Sequence, residues 1–262
     1  MKEFYRRLSV QNQLAQDSLI AGVYEDVNTD FQELLKKGDI NPKPLMVCSG
    51  GTSSRCTAND HWTLDLRKNY QRIEFNLINK TVEIGAGITM GTLIKELAKY
   101  RRSFPIGLSG LPGLGYILTG GISPLSRRDG LAIDQVLEIK GVWGKGETFK
   151  ISKPTKVSSS ETKLIWRGLC GAAPFIGIVT KLTLQTQPQT SLRIWQSFLK
   201  TRDLIEAIKQ AEQWPNFMCL HWNWKKSIQV FIVISDNSIK QDRNIQQFQE
   251  KFPSSESLQV FD

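Results

Sequence analysis

The chain has 262 residues, a formal net charge of +9, and 40% hydrophobic against 23% charged side chains. That length buries a full core in one large domain or two smaller ones, and the balance excludes a disordered chain. No run reaches the ~18 apolar residues of a membrane span, and the first seven residues lack a signal-peptide apolar core; the expectation is a cytoplasmic protein with no membrane partner.

The basic excess is scattered in pairs, Arg101-Arg102, Arg127-Arg128 and Lys225-Lys226. A nucleic-acid partner is therefore not expected, because such a partner calls for a clustered patch. Cys48, Cys56, Cys170 and Cys219, with only His61 and His221 to supplement them, match no zinc spacing. Free thiols and no metal site are predicted.

Residues 1–25 read as helical and irregular. Asn28 or Thr29 caps a predicted helix through Lys37, with Phe31, Leu34 and Leu35 on one face and Gly38 as its stop. A short strand, Leu45–Val47, runs into Ser49-Gly50-Gly51-Thr52-Ser53-Ser54. Four hydroxyls and two glycines there either cradle an anion on backbone N–H groups or make a plain surface turn. Trp62–Leu66 reads as a strand. Ile73, Phe75 and Leu77 alternate with polar residues, Asn79-Lys80 turns, and Thr81–Gly85 returns with Val82 and Ile84 inward. Thr89 caps a helix over Met90–Tyr100. Gly85-Ala86-Gly87 does not make a dinucleotide fingerprint, since the next glycine, Gly91, falls one position late.

Phe104–Gly121 holds six glycines and two prolines in eighteen uncharged residues. It is either a buried structural turn or a ligand cradle, because glycine lets a backbone approach closely. A polar loop follows over Pro124–Gly130. Leu131–Trp143 reads as one strand, returned by Gly144-Lys145-Gly146 into Glu147–Ile151. Residues 152–160 form a surface loop and Thr162–Arg167 one helical turn. A glycine-bearing stretch over Gly168–Gly171 precedes a β-rich run, Phe175–Leu184. After a linker over Gln185–Thr190, a βαββα run is predicted. It comprises strand Leu192–Leu199, a helix capped by Thr201 with Leu204, Ile205, Ile208 and Ala211 on one face, strands Met218–Trp224 and Ile228–Ile234, and a helix carrying Ile239, Ile245, Phe248 and Phe252. Leu258–Phe261 opens another strand.

Five segments stand in one order: Val47–Ser53, Val82–Gly91, Phe104–Gly121, Arg128–Val136, and Trp166-Arg167-Gly168 with Gly177-Ile178-Val179-Thr180. Together they resemble the flavin domain of the vanillyl-alcohol oxidase (PCMH-type) superfamily, most of all the berberine-bridge-enzyme-like FAD-linked oxidases. The resemblance covers about residues 20–186. It implies an α+β chain: a two-subdomain PCMH-type FAD-binding domain over 1–187, then a partial antiparallel-sheet substrate domain covered by helices over 188–262. FAD is then expected along Ser49, Gly50, Gly51, Thr52, Ser53 and Ser54, and along a second loop of Ser109, Leu111, Pro112, Gly113, Leu114, Gly115, Thr119, Gly120 and Gly121. Gly177 and Ile178 are expected at the ribityl and adenine portion.

The departures are specific. Covalent members carry histidine where this chain has Thr52, and bicovalent members also carry cysteine where it has Ser109, so FAD is expected to be held non-covalently. Tyr116, Ile117, Ile122 and Pro124 replace smaller or polar family residues. The expected activity is hydride transfer from a small organic substrate to flavin N5; the alternative is a degenerate flavin-domain protein that binds without catalysing. Asp262 falls midway through the family's substrate region, which implies a fragment or a lost active-site half, so no catalytic base is named. His221 lies on a strand that faces either a flavin or, as the alternation of Trp222, Asn223 and Trp224 suggests, simply a half-buried sheet.

Overall fold

A computed structural model describes residues 2–4, 18–37, 43–53, 55–224, 227–235, 243–252 and 259–261. In chain order the elements are β1 (Lys2–Phe4), β2 (Ser18–Ile20), β3 (Gly22–Tyr24), α1 (Thr29–Lys37), β4 (Leu45–Cys48), β5 (Trp62–Asp65), β6 (Ile73–Asn76) and β7 (Thr81–Gly85). They continue with α2 (Met90–Ala98), β8 (Arg102–Ser103), α3 (Gly115–Leu118), α4 (Ser126–Asp129), a 3-10 turn over Ala132–Gln135, β9 (Val136–Trp143) and β10 (Thr148–Ser152). The remainder are α5 (Ser160–Ile176), β11 (Gly177–Gln185), β12 (Gln187–Pro188), β13 (Leu192–Leu199), α6 (Thr201–Glu212), β14 (Met218–Trp224), β15 (Ile228–Ile234), α7 (Arg243–Lys251) and β16 (Gln259–Phe261). The protein is thus a mixed α+β chain.

It divides into two compact units, Met1–Phe104 with Ser109–Gly121 and Leu131–Gln187, and Pro105–Leu108 with Ile122–Gly130 and Pro188–Asp262. The first unit holds a three-stranded parallel sheet in the order β3-β5-β4 and a five-stranded antiparallel sheet in the order β10-β9-β11-β7-β6. Parallel pairing of β4 and β5 forces a crossover between them, and the first glycine loop is the start of that crossover. Val82, Ile84, Ile139, Leu182 and Leu184 from the antiparallel sheet are buried, as are Met90, Leu93 and Leu97 of α2. Asn28 caps α1 by accepting from Phe31 N–H at 3.0 Å, and Thr89 caps α2 by accepting from Thr92 N–H at 3.3 Å.

The second unit holds an antiparallel sheet in the order β14-β15-β13-β16. Leu204, Ala207 and Ala211 of α6 and Phe248 of α7 form one cluster with Trp195, Met218, Val230 and Ile232 of its strands. Arg127, on α4, donates to the carbonyls of Ala211 and Trp214 at 2.6 Å each and so ties α4 to the end of α6.

Several expectations are corrected. Residues 1–25 contain strands, because β1 and β2 complete each other by antiparallel pairing of Lys2 with Ile20 through Phe4 with Ser18. The strand expected from Leu131 begins only at Val136. The Asp134 carboxylate accepts from Leu131 N–H at 2.9 Å and winds a 3-10 turn first. Ser126–Asp129 is a short helix inside the expected loop. Helix α5 runs through Gly168 to Ile176 with a kink at Cys170–Ala172, where Gly171 takes φ +132°. A Cβ on Gly168 would lie 3.0 Å from Ile176 Cδ1. Thr201 is the first helical residue and makes no cap; the N-cap is Lys200, without a side-chain bond. Ile205 is exposed and Ala207 takes its buried place. Helix α2 stops at Ala98, and Tyr100 stacks on Phe75 with centroids 4.5 Å apart. Leu77 is exposed. Gly38 and Ile239 lie outside the described residues.

Candidate functional site

The two glycine loops of the first unit are pressed together. A Cβ on Gly50 would stand 2.8 Å from Gly113 Cα, and one on Gly113 would stand 2.7 Å from Gly50 Cα. Real Cβ atoms are essentially never found so close, so neither position accepts a side chain without a backbone shift. Ser49 bolts the same junction: its hydroxyl donates to Ala86 O at 2.5 Å and accepts from Leu114 N–H at 2.8 Å.

The second loop also closes the N-terminus of α2. Met90 N–H donates to Pro112 O at 2.9 Å and Gly91 N–H to Gly110 O at 2.8 Å. Two of the helix's free amides are thereby satisfied by protein. Gly110 is required for this approach, since its Cβ would lie 2.9 Å from Gly91 Cα.

Around this junction the expected site residues separate by exposure. Gly50, Gly51, Gly113, Leu114 and Gly121 are buried, whereas Ser53, Ser109, Leu111, Gly115 and Thr119 are exposed, with Thr52, Pro112 and Gly120 between. Ser53 Oγ accepts from Arg55 N–H at 3.1 Å, Ser109 Oγ accepts from Leu111 N–H at 3.2 Å, and Thr119 Oγ1 donates to Gly115 O at 2.8 Å. Nothing lies within 4 Å of a Cβ placed on Gly115 or Gly120. The carbonyls of Gly120 and Gly121 accept from Ile133 and Ala132 N–H at 3.0 Å, which fixes the far end of the loop. Ser54 lies outside the described residues.

The sequence reading missed Arg67. Its Nη1 would be 2.7 Å from a Cβ on Gly51, which is held at φ +76°. Asp65 fixes the guanidinium through Nε at 2.8 Å and Nη2 at 2.7 Å, and these bonds keep it charged against its partial burial. A fixed positive group thus stands beside the first loop. The only sequence signal is an Asp-x-Arg step just after β5. Tyr116 is half-buried, and burial pushes its phenol up to about 12; it and Ile117 form the short α3 rather than open loop.

Gly177 and Ile178 are at the start of β11, paired with Trp143 and Val142. Ile178 is buried, and its carbonyl abuts Gly141. Gly141 also lines an open pocket of about 270 Å³ together with Gln32, Lys140, Thr180 and Lys181. Lys140 and Lys181 both pair with Glu83, at 2.5 and 3.2 Å. Burial of Glu83 opposes its charge, but the two lysines win and hold its carboxyl below the ordinary value.

In the second unit His221 stacks on Phe231 with centroids 5.4 Å apart, and its Nε2 is buried with no hydrogen-bond partner. Burial lowers its pKa. Trp222 and Trp224 are 44% and 65% exposed, which corrects the half-buried strand expected from their alternation.

The loop junction fits an extended anionic nucleotide. Space beside Gly115 and Gly120 and the exposed side-chain oxygens of Ser53, Ser109 and Thr119 are available on one connected set of loops, with the Asp65-paired Arg67 guanidinium beside Gly51. The Ser49 hydroxyl and the first amides of α2 are not, being engaged within the protein. Among the described residues no group of three metal-ligating side chains occurs, and no helix is long and apolar enough to cross a membrane.

Known proteins similar to this chain include FAD-linked oxidoreductases. Residues 24–152 match the FAD binding domain family. The FAD-linked oxidoreductase tazG of Aspergillus terreus is 29% identical over 168 residues, 63% of this chain and 33% of that protein. The FAD-linked oxidoreductase janO of Penicillium janthinellum is 27% identical over 201 residues, 75% and 40% respectively. Berberine bridge enzyme-like 23 of Arabidopsis thaliana is 27% identical over 150 residues, 55% and 27%. Among solved structures, xylooligosaccharide oxidase from Myceliophthora thermophila matches with TM-score 0.79 at 18% identity, covering 99% of this chain and 59% of that one. Berberine-bridge-enzyme-like 1 of Physcomitrella patens matches with TM-score 0.76 at 17% identity, covering 92% and 54%. These structural likenesses establish the fold. The chain spans a third to two fifths of those two fungal oxidoreductases and a little over half of the solved structures.

Proposed function

We propose, on the premise that residues 24–152 are an FAD binding domain of the PCMH type, that the chain belongs to an FAD-linked oxidoreductase that holds its cofactor non-covalently. When bound, FAD supplies a two-electron acceptor at flavin N5. The observation that carries the reading is the Gly50–Gly113 junction with open backbone at Gly115 and Gly120 beside it. The open space at Gly115 and Gly120, with the exposed hydroxyls of Ser53, Ser109 and Thr119 nearby, leaves a diphosphate room to approach without intervening side chains. Arg67, paired with Asp65, places a guanidinium at Gly51. Thr52 and Ser109 supply hydroxyls where bonding to a flavin would need an imidazole and a thiol. The first unit is then the two-subdomain flavin domain, and the second a partial substrate domain built on the β14-β15-β13-β16 sheet. The substrate is a small organic molecule that surrenders a hydride.

The test is reconstitution of the purified full chain with FAD. Bound-flavin absorbance bands and an upward shift in melting temperature support the reading; neither appearing overturns it. A second reading is a flavin-binding protein without catalysis, favoured by Tyr116, Ile117, Ile122 and Pro124, bulkier than the residues the resemblance calls for there. Bound flavin that no alcohol, sugar or amine in a broad panel bleaches would support it.

A further inference from the structure

Cys48 and Cys56 stand at the two ends of the first glycine loop, and both are buried, at 0% and 4% exposure. They share one small cluster with Ile20 and Val23, and their thiols are hydrogen-bonded to each other. Each is fixed by its backbone as well. Cys48 ends β4 and accepts from Leu66 N–H at 2.9 Å, and Cys56 N–H donates to Ser53 O at 3.3 Å. The other two cysteines are elsewhere: Cys170 is at the kink of α5, and Cys219 is on β14 in the second unit.

We propose that Cys48 and Cys56 are a redox dithiol, converted by a peroxide into a reversible disulfide that ties off the loop between them. Two cysteines packed in one buried cluster, with their backbones held, are placed to reach the specific geometry of a disulfide with little rearrangement. The proton inventory also suits it. The hydrogen bond to Cys56, and then burial, push the Cys48 thiol far up, so Cys48 keeps its proton and Cys56 is the acceptor. The Arg67 guanidinium acts on both sulfurs in the direction of a thiolate, opposed at Cys48 by the Asp65 carboxylate.

In the first step the Cys56 thiolate attacks one peroxide oxygen; the O–O bond breaks, and Cys56 becomes a sulfenic acid as hydroxide leaves and takes a proton. In the second, the Cys48 sulfur attacks the Cys56 sulfur; the S–O bond breaks, and the Cys48 proton leaves with the hydroxyl as water. Two thiols and one hydrogen peroxide give one disulfide and two waters, with two electrons passed to the peroxide. The resulting ring encloses Gly50 and Gly51, which touch Gly113 and Arg67.

The test is a thiol count on the full chain under denaturing conditions before and after a small molar excess of hydrogen peroxide, with peptide mapping. Two of the four thiols should be lost, regained with dithiothreitol, and mapped to a Cys48–Cys56 link. Cys56→Ala should form no such link, and the double variant Cys170→Ser/Cys219→Ser should form it as the wild type does. Four persisting thiols, a link to Cys170 or Cys219, or oxidation of Cys56 to sulfinic acid without a link would each overturn the proposal. The wild-type peptide map decides the matter even if a variant folds poorly.

Discussion

Gly50 and Gly113 stand back to back, each occupying the space the other's Cβ would need, with Ser49 bonding across the seam to Ala86 and Leu114. The two loops that a nucleotide would contact are therefore first of all each other's support. This ordering of roles separates glycines that hold the loops together from glycines that face outward.

Gly50→Ala and Gly113→Ala should each cost on the order of 1–3 kcal/mol, the usual range for forcing extra atoms into a filled interior. Because either substitution forces the same two backbones apart, the double variant should cost clearly less than the sum. Urea denaturation of the two single variants and the double variant measures this. Additive losses would mean that the two positions are independent.

Gly115→Ala is the opposite case. Nothing lies within 4 Å of its Cβ, and the residue opens α3. Stability should stay within about 0.5 kcal/mol of wild type or rise slightly, because alanine is the better helix former. FAD retention should nevertheless fall, since the new methyl group occupies the opening assigned to the cofactor. Unchanged stability with unchanged FAD affinity would remove Gly115 from the site.

Ser49→Ala deletes both bonds across the seam and leaves Leu114 N–H and Ala86 O without their partner. The expected loss is about 1–3 kcal/mol, the cost of a part-buried polar group left unpaired. The loss should be as large without FAD as with it, because the hydroxyl serves the protein and not the ligand. Thermal melts with and without FAD test this; a loss seen only in the FAD-loaded protein would reassign Ser49 to the cofactor.

The proposed non-covalent attachment rests on Thr52 and Ser109. Neither hydroxyl can make the histidyl or cysteinyl bond that the resemblance associates with these two positions. Acid precipitation of FAD-loaded protein should leave all the flavin in the supernatant. A yellow pellet that survives washing would contradict the assignment.

The sequence made the glycine loops visible, but not what they touch. A cofactor and a neighbouring loop both demand a missing Cβ, so Gly50 and Gly113 look alike under either role. Periodicity placed β7, α2, β13, β14 and β15 well, because each carries its own apolar face. It failed where distant residues decide the local state. The pairing of β1 with β2 is long-range, and Arg127 matters through carbonyls more than eighty positions later. Arg67 went unnoticed because one arginine after a strand has no pattern until Gly51 is folded against it.

His221 offers a pH test confined to the second unit. Its Nε2 is buried without a partner, and burial lowers its pKa in the folded state. The unfolded chain therefore binds the proton more readily. The contribution of His221 to stability is present above the ordinary histidine value of about 6.5 and is lost as pH falls through the lower folded value. His221→Phe keeps a ring against Phe231 and removes both the orphaned nitrogen and the titration. Unfolding followed by tryptophan fluorescence should place this variant level with or above wild type at pH 7.5. Its lead should grow at pH 5.5, where the unfolded wild type takes up a proton that the folded imidazole binds less readily. A wild-type protein that gains stability relative to His221→Phe on acidification would mean that the imidazole finds an acidic partner when protonated.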